Sequence, residues 1–294
     1  MPSKDNAIDI FVSTGLSGLS TSGALAHVAA NGLKNVELSG GPFEGDLTTL
    51  LALTQQLGLR AQPHNYFPVP AKPLVLNLSA PREEDLRSSL KQARTAIDFA
   101  QKLGAATYSV HAGFCASPSL DDLGTNWPKL PRISQHEAEE IFVHSITDLC
   151  SYAEDKGVSI LIENNVLTRE TARTNGFDVL LMTDPDSIFR VFENLPSQVG
   201  LLVDVGHLHV SGATQSFSPR EALGKLAPIT RAYHLSENDG LSDLNWAIRS
   251  DSWFWSNLSP NVEFVTIEMD RYTFQNRLRE QVEICCDSLE RFAE

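Results

Sequence analysis

Each of the last four apolar runs in this chain stops at a carboxylate or a histidine. The runs are Ser159–Glu163 (SILIE), Leu201–His207 (LLVDVGH), Ala232–His234 (AYH) and Phe264–Glu268 (FVTIE). A buried strand has no reason to end in an ionisable group so repeatedly, because an unpaired charge is unfavourable to bury. Such ends make sense where several strands point the same way and their tips converge. Parallel barrels have that geometry, and their chemistry sits at the carboxyl ends of the strands. Two carboxylates, a histidine and a third carboxylate (Glu163, Asp204, His234 and Glu268) then form an oxygen-rich set suited to a divalent cation.

The rest of the chain fits that frame. Short apolar runs alternate with longer helical patterns, which predicts a parallel sheet. Strands are expected at Ile8–Ser13, Val36–Ser39, Ala61–Asn65, Thr107–His111, Ser159–Glu163, Gly200–Val205, Ala232–Leu235 and Phe264–Met269. Helices are expected after Ser20, after the cap Asp46, over Arg82–Leu103 with Gly104 as its stop, over Ser134–Lys156, from Pro185, and over Phe274–Phe292. Eight strands in 294 residues suit one α/β domain, a single (β/α)8 TIM barrel over residues 1–294. The Pro-, Ser- and Asp-rich segment Ala116–Ile133, with Trp127, reads as a long loop on the active face and part of a lid.

Composition narrows the partners. A net charge of −14 weighs against nucleic acid and anionic membrane. No stretch approaches the roughly 18 apolar residues of a membrane helix, and the first residues lack the apolar core of a secretory signal. The 4 cysteines (Cys115, Cys150, Cys285 and Cys286) show no metal-type spacing, so a reduced, cytoplasmic protein is expected. Cys115 has no Cys-His motif to make it a nucleophile.

Other polar residues fall near the expected strand ends. His64, His111 and His207 are candidates for lining the pocket, and His209 is a weaker one. Glu37 is a candidate for the pocket floor or for a substrate hydroxyl. Asn164 and Asn165 are placed to orient Glu163 or to meet a sugar hydroxyl. His27, His136 and His144 lie on helical stretches and are expected in solvent. Tyr66, Phe67, Phe114 and Trp127 either stack on a ring-shaped substrate or pack the loops. Trp246, Trp253 and Trp255 either wall the pocket or build a homo-oligomer contact.

The segments Ala106–Gly113 (ATYSVHAG), Ile160–Asn165 (ILIENN), Leu202–His207 (LVDVGH), Tyr233–His234 followed by Asp239–Gly240, and Ile267–Glu268 together resemble the xylose isomerase-like TIM-barrel superfamily. That group holds sugar isomerases and epimerases, inosose dehydratase and endonuclease IV. In its epimerase branch one metal, often Mn2+, Mg2+ or Co2+, is held by a Glu, an Asp, a His and a second Glu. The resemblance places these on Glu163, Asp204, His234 and Glu268; zinc is admissible too. It also implies that Glu163 and Glu268 move the proton next to a carbonyl, and that His207 contacts the sugar. The remaining substrate-contact candidates are His111, His64 and Asn165. In the endonuclease branch, with three zinc ions, the early histidines match His64 and His111, and the later Asp-X-His pair aligns with Asp243-Leu-Asn245. Asn245 breaks that pattern.

The function expected from this is a divalent-metal-dependent sugar isomerase or epimerase. It would abstract a proton beside a carbonyl and use the metal to stabilise the enediolate. The partner would be a small carbohydrate or polyol. An inosose dehydratase-like lyase and an endonuclease IV-like zinc phosphodiesterase are the alternatives.

Overall fold

The computed structural model describes residues 8–43, 45–70, 72–120 and 132–292. Eight strands appear there: β1 (Asp9–Ser13), β2 (Asn35–Leu38), β3 (Arg60–Pro63), β4 (Thr107–His111), β5 (Ser159–Glu163), β6 (Gly200–Asp204), β7 (Thr230–Leu235) and β8 (Phe264–Ile267). They form one parallel sheet in the order β3-β2-β1-β8-β7-β6-β5-β4. The two end strands meet past the tip of β3, where His64 bridges Ser109 and the Asn65 amide donates to the Ser109 carbonyl at 2.7 Å. This closes the (β/α)8 barrel at its carboxyl rim.

Strand alternation sorts the residues into two environments. Outward side chains such as Val36, Tyr108, Ile160, Ile162, Val203, Tyr233, Val265 and Ile267 join the large core between sheet and helices. Inward side chains at the amino-terminal end form a separate small core of Phe11, Leu161, Leu202, Ala232 and Phe264. Two residues further along the same strands, the inward positions become Ser13, Glu163, Asp204, His234 and Thr266, all buried. The apolar plug thus carries a polar layer directly above it.

Helices surround the sheet: α1 (Thr21–Ala30), α2 (Leu47–Gln56), α3 (Glu83–Leu103), α4 (Gln135–Glu154), α5 (Arg169–Asn175), α6 (Pro185–Phe192), α7 (Val205–Gln215), α8 (Pro219–Leu226) and α9 (Arg271–Phe292). Their starts follow ordinary capping chemistry. Ser20, Asp46 and Ser134 each accept from a backbone amide three residues on. Asp184 and Ser187 form a capping box with Pro185 as first helical residue. Gly104 ends α3 at φ 70°, a conformation that favours glycine.

Several expectations change. Thr230 already pairs with Leu201, so β7 begins two residues before Ala232. β3 ends at Pro63, and β8 at Ile267, although the Glu268 amide still donates to Leu235 at 3.0 Å. Helices α5, α7 and α8 add to the expected set; α7 contains Gly206 and Gly212, which weaken its helical signal. His136 and His144 are exposed, but His27 is half-buried with Nε2 3.0 Å from the Phe274 carbonyl. Phe67 is fully buried between Phe43 and Phe99, and Trp255 is buried with its indole donating to the Arg249 carbonyl. Neither is free to stack on a ligand. The expected lid falls largely outside the described residues, as does Trp127. Its described ends are tied by an antiparallel bridge between Ala116 and Arg132.

Asn77 joins the loops that follow β3 and β4. Its Oδ1 accepts from the Phe114 amide and the Ser79 hydroxyl, and its Nδ2 donates to the carbonyls of Phe114 and Ala116. Replacing this buried side chain strands several backbone groups. Asn77→Ala should lose about 2–4 kcal/mol of stability, measured by urea denaturation. A loss within the scatter of surface substitutions would show that the loops hold without this clamp.

Candidate metal centre

Glu163 lies at the centre of the polar layer and ends β5, with 1% of its side chain exposed. Its Oε1 lies 3.5 Å from His234 Nδ1 and 3.5 Å from His207 Nδ1. Its Oε2 lies 3.3 Å from His64 Nε2 and 3.5 Å from His111 Nε2. Asp204 ends β6 and caps α7, and His234 sits opposite it in register on β7. Glu268 follows β8 and brings Oε1 to 3.6 Å from His234 Nδ1.

These groups pack as neighbouring donor sets. Asp204, His234 and Glu268 offer atoms that all lie within 4.8 Å of one another, and so do Glu163, Asp204 and His207. His64, His111 and Glu163 make a further set by the same measure, and Glu37, His64 and His234 a fourth, so Glu163 belongs to two of the four. Glu163 Oε2, Asp204 Oδ2 and His234 Nδ1 are buried atoms without a hydrogen-bond partner. Buried polar atoms left unpaired in this way are costly, and a cation in the Asp204, His234 and Glu268 set would relieve those on Asp204 and His234. The donor set therefore fits a divalent ion of hard to borderline character.

The chain orients each ligand by a local device. Asp204 Oδ1 accepts from the His207 amide at 2.7 Å as the helix cap, which leaves Oδ2 facing the site. Asn164 grips the Asp204 backbone from both sides: Oδ1 accepts from its amide at 2.8 Å and Nδ2 donates to its carbonyl at 3.3 Å. Asn164 thus positions Asp204, where the sequence pointed to Glu163. Asn165 directs its amide nitrogen to the carbonyls of Ala112, Gly113 and Leu181 and so joins loops instead of presenting a donor to the site. Its proposed substrate contact gains no geometric support.

His64 has Nδ1 2.9 Å from the Ser109 hydroxyl, which turns Nε2 toward Glu163. His207 donates from Nδ1 to the Asn164 carbonyl at 2.8 Å and places Nε2 3.3 Å from Asp243 Oδ2. Asp243 Oδ1 also accepts from Asn245 Nδ2 at 3.3 Å. Asp243 and Asn245 were legible only through the resemblance, since neither ends a strand. His209 turns toward Trp253 and Gly240, outside the shared donor sets. Cys115 donates to the Asp178 carbonyl, and burial pushes its thiol up to about 12, which leaves it unreactive.

Electrostatics differentiates the carboxylates. Burial works to raise Glu163, but the surrounding imidazoles, His111 first, overcome it and hold the carboxyl well below its usual range. Glu268 goes the other way: burial, together with Asp204 and Glu163, lifts it to about 8 against the pull of His234. Burial likewise raises Asp204 to about 6. Glu37 is fully buried, and despite burial it is lowered to about 2 by His234 and His64 and by hydrogen bonds. Among the described residues no Lys or Arg forms an ion pair with any of these carboxylates.

Residues 25–248 match the family described as xylose isomerase-like TIM barrel, and the chain belongs to that family. An uncharacterised protein of Methanocaldococcus jannaschii, MJ1614, is 23% identical over 214 residues, covering 73% of this chain and 72% of the relative. A D-tagatose 3-epimerase-like protein superposes with a TM-score of 0.71 at 19% identity, covering 97% of this chain and 98% of that one. An L-ribulose 3-epimerase gives 0.68 at 12% identity, covering 98% and 97%. A Thermus thermophilus protein, TTHB071, soaked with ZnCl2, gives 0.63 at 19% identity, covering 96% and 98%. At these identities the likeness is one of fold.

Asn164→Ala frees the Asp204 backbone. It should weaken Mn2+ binding about 10–100-fold, as loss of an orienting partner does at other metal sites, with calorimetric titration as the measurement. Unchanged affinity would show that the helix cap alone sets Asp204.

Proposed function

We propose that this chain is a divalent-metal-dependent isomerase or epimerase of a small carbohydrate or polyol. One observation carries the reading: unpartnered buried ligand atoms on Asp204 and His234 meet Glu268 at the carboxyl rim of the barrel, with Glu163 Oε1 3.5 Å from the same His234 nitrogen. Glu163, Asp204, His234 and Glu268 would hold the ion, with Mn2+, Mg2+ or Co2+ favoured and zinc admissible. When bound, it supplies Lewis-acid polarisation of a carbonyl and charge for the oxyanion that develops.

The chain's own residues supply the proton chemistry. Glu163, held ionised, is the base that takes a proton from the carbon beside the carbonyl. Glu268, whose Oε1 approaches the same His234 Nδ1 that Glu163 approaches, has a raised affinity for protons and is the group to return one. Two carboxyl groups whose surroundings push their proton affinities apart are suited to acid and base roles. Among the described residues these carboxylates have imidazoles as their only cationic partners, which favours a neutral polyol over a phosphorylated one. His111, partly exposed beside the buried His207 ring, is placed for contact with hydroxyls.

A zinc phosphodiesterase reading draws on the neighbouring His64, His111 and Glu163 set. It falls short at Asn245, whose amide is a poor zinc ligand beside imidazole, and at the net charge of −14.

Chelation should abolish activity on free ketoses such as D-tagatose, with Mn2+, Mg2+ or Co2+ restoring it and raising the melting temperature. Full turnover by exhaustively metal-free protein would defeat the proposal. Elemental analysis after gel filtration should find one tightly held metal per chain. A ratio near three zinc, with cleavage of abasic DNA that follows metal loading, would move the protein to the nuclease reading.

At saturating metal, Glu163→Gln and Glu268→Gln should each lower turnover about 10²–10⁴-fold. Deuterium exchange from solvent at the reacting carbon is the diagnostic readout. Exchange at the wild-type rate in either variant removes that residue from proton transfer.

A further inference from the structure

Glu37 is a fully buried carboxylate on β2, in register with Ser13 of the polar layer, and the proposed chemistry does not use it. Its Oε2 accepts from Gln62 Nε2 at 2.9 Å and from the Thr266 hydroxyl at 3.1 Å. Gln62 is itself oriented, because Thr107 donates to its Oε1 at 3.3 Å and leaves the amide nitrogen toward Glu37. The other oxygen, Oε1, lies 3.0 Å from His234 Nε2. Both atoms are buried and neither makes a well-directed hydrogen bond, so this 3.0 Å approach is the nearest charged contact each has.

We propose that Glu37 is a positioning residue: held by Gln62 and Thr266, it keeps the His234 proton on Nε2 and so leaves Nδ1 free for a cation. The inference rests on the reading of His234 as a metal ligand. A carboxylate can only accept, so a neutral imidazole facing it carries its hydrogen on Nε2. The lone pair is then on Nδ1, the atom that lies 3.5 Å from Glu163 and 3.6 Å from Glu268. Glu37, His64 and His234 are also close enough to be ligands themselves. The two donors on Oε2 argue against that, since a cation there would have to displace the Gln62 amide hydrogen and the Thr266 hydroxyl hydrogen. Nor does Glu37 reach a substrate, since it has no exposed surface.

The isosteric variant Glu37→Gln gives a sharp test. Gln62 and Thr266 would retain the new side-chain oxygen, which turns its NH2 toward His234 and demands the opposite tautomer. Nitrogen-15 NMR of histidine-labelled, metal-free protein, recorded at a pH high enough to leave His234 neutral against the raising effect of Glu37, Glu163 and Glu268, should show His234 as Nε2–H in the wild type and shifted toward Nδ1–H in the variant. Calorimetric titration with Mn2+ should show affinity lower by about 10–100-fold. A role confined to packing would move neither the tautomer nor the metal affinity. An unchanged tautomer with unchanged affinity overturns the proposal. Loss of a metal equivalent with an unchanged tautomer also overturns it, since Glu37 would then be a ligand. If Glu37→Gln does not fold, Thr266→Val decides: a smaller loss of Mn2+ affinity supports the clamp, and no loss refutes it. Wild-type protein that binds no Mn2+ would defeat the proposed function, while the tautomer comparison would still judge Glu37 on its own.

Discussion

Four imidazoles close on the two oxygens of one buried carboxylate, Glu163. A carboxylate with this little exposure is tolerated only where partners replace water. The upper barrel is arranged around that requirement. β3 supplies the approach to His64, β4 ends in His111, β6 runs into the helix that bears His207, and β7 carries His234. The barrel's closure between β3 and β4 uses His64 and Ser109, so the same residues seal the sheet and face the carboxylate.

The layering below makes this arrangement sustainable. An apolar plug of Phe11, Leu161, Leu202, Ala232 and Phe264 fills the amino-terminal end, so polar groups are confined to one rim. Outward residues on the same strands pack against the helices and hold the strands rigidly. Rigidity matters because donor atoms must meet within a few tenths of an ångström to serve one ion. Helix α7 adds to it: Asp204 is at once the last residue of β6 and the cap of α7, so its free oxygen has a fixed direction.

The loops carry the features in which this chain departs from the nuclease pattern. By the resemblance Asn245 falls where the nuclease branch has a histidine, and Asp243 faces His207 at 3.3 Å. The Asp243 carboxylate therefore pairs with the His207 imidazole. Family membership places the chain among barrels with many chemistries, and a shared fold does not choose among them. The choice rests on the local donor set and on the absence of Lys or Arg pairing among its described residues.

The sequence by itself determined the parallel sheet, most helix starts, and the strand-end residues Glu163, Asp204, His234 and Glu268. Period-two alternation and capping residues are local signals, and a strand-end carboxylate is visible wherever an apolar run stops. It did not determine what those residues touch. Tertiary structure alone decided that Glu163 is shared between two donor sets and that Asn164 orients Asp204. It also decided that Asn165 ties loops, that Phe67 and Trp255 belong to the core, and that Glu37 faces His234. The reason is distance along the chain: Glu37 and Thr266 are 229 residues apart, and no local pattern reports a contact made only when the barrel closes.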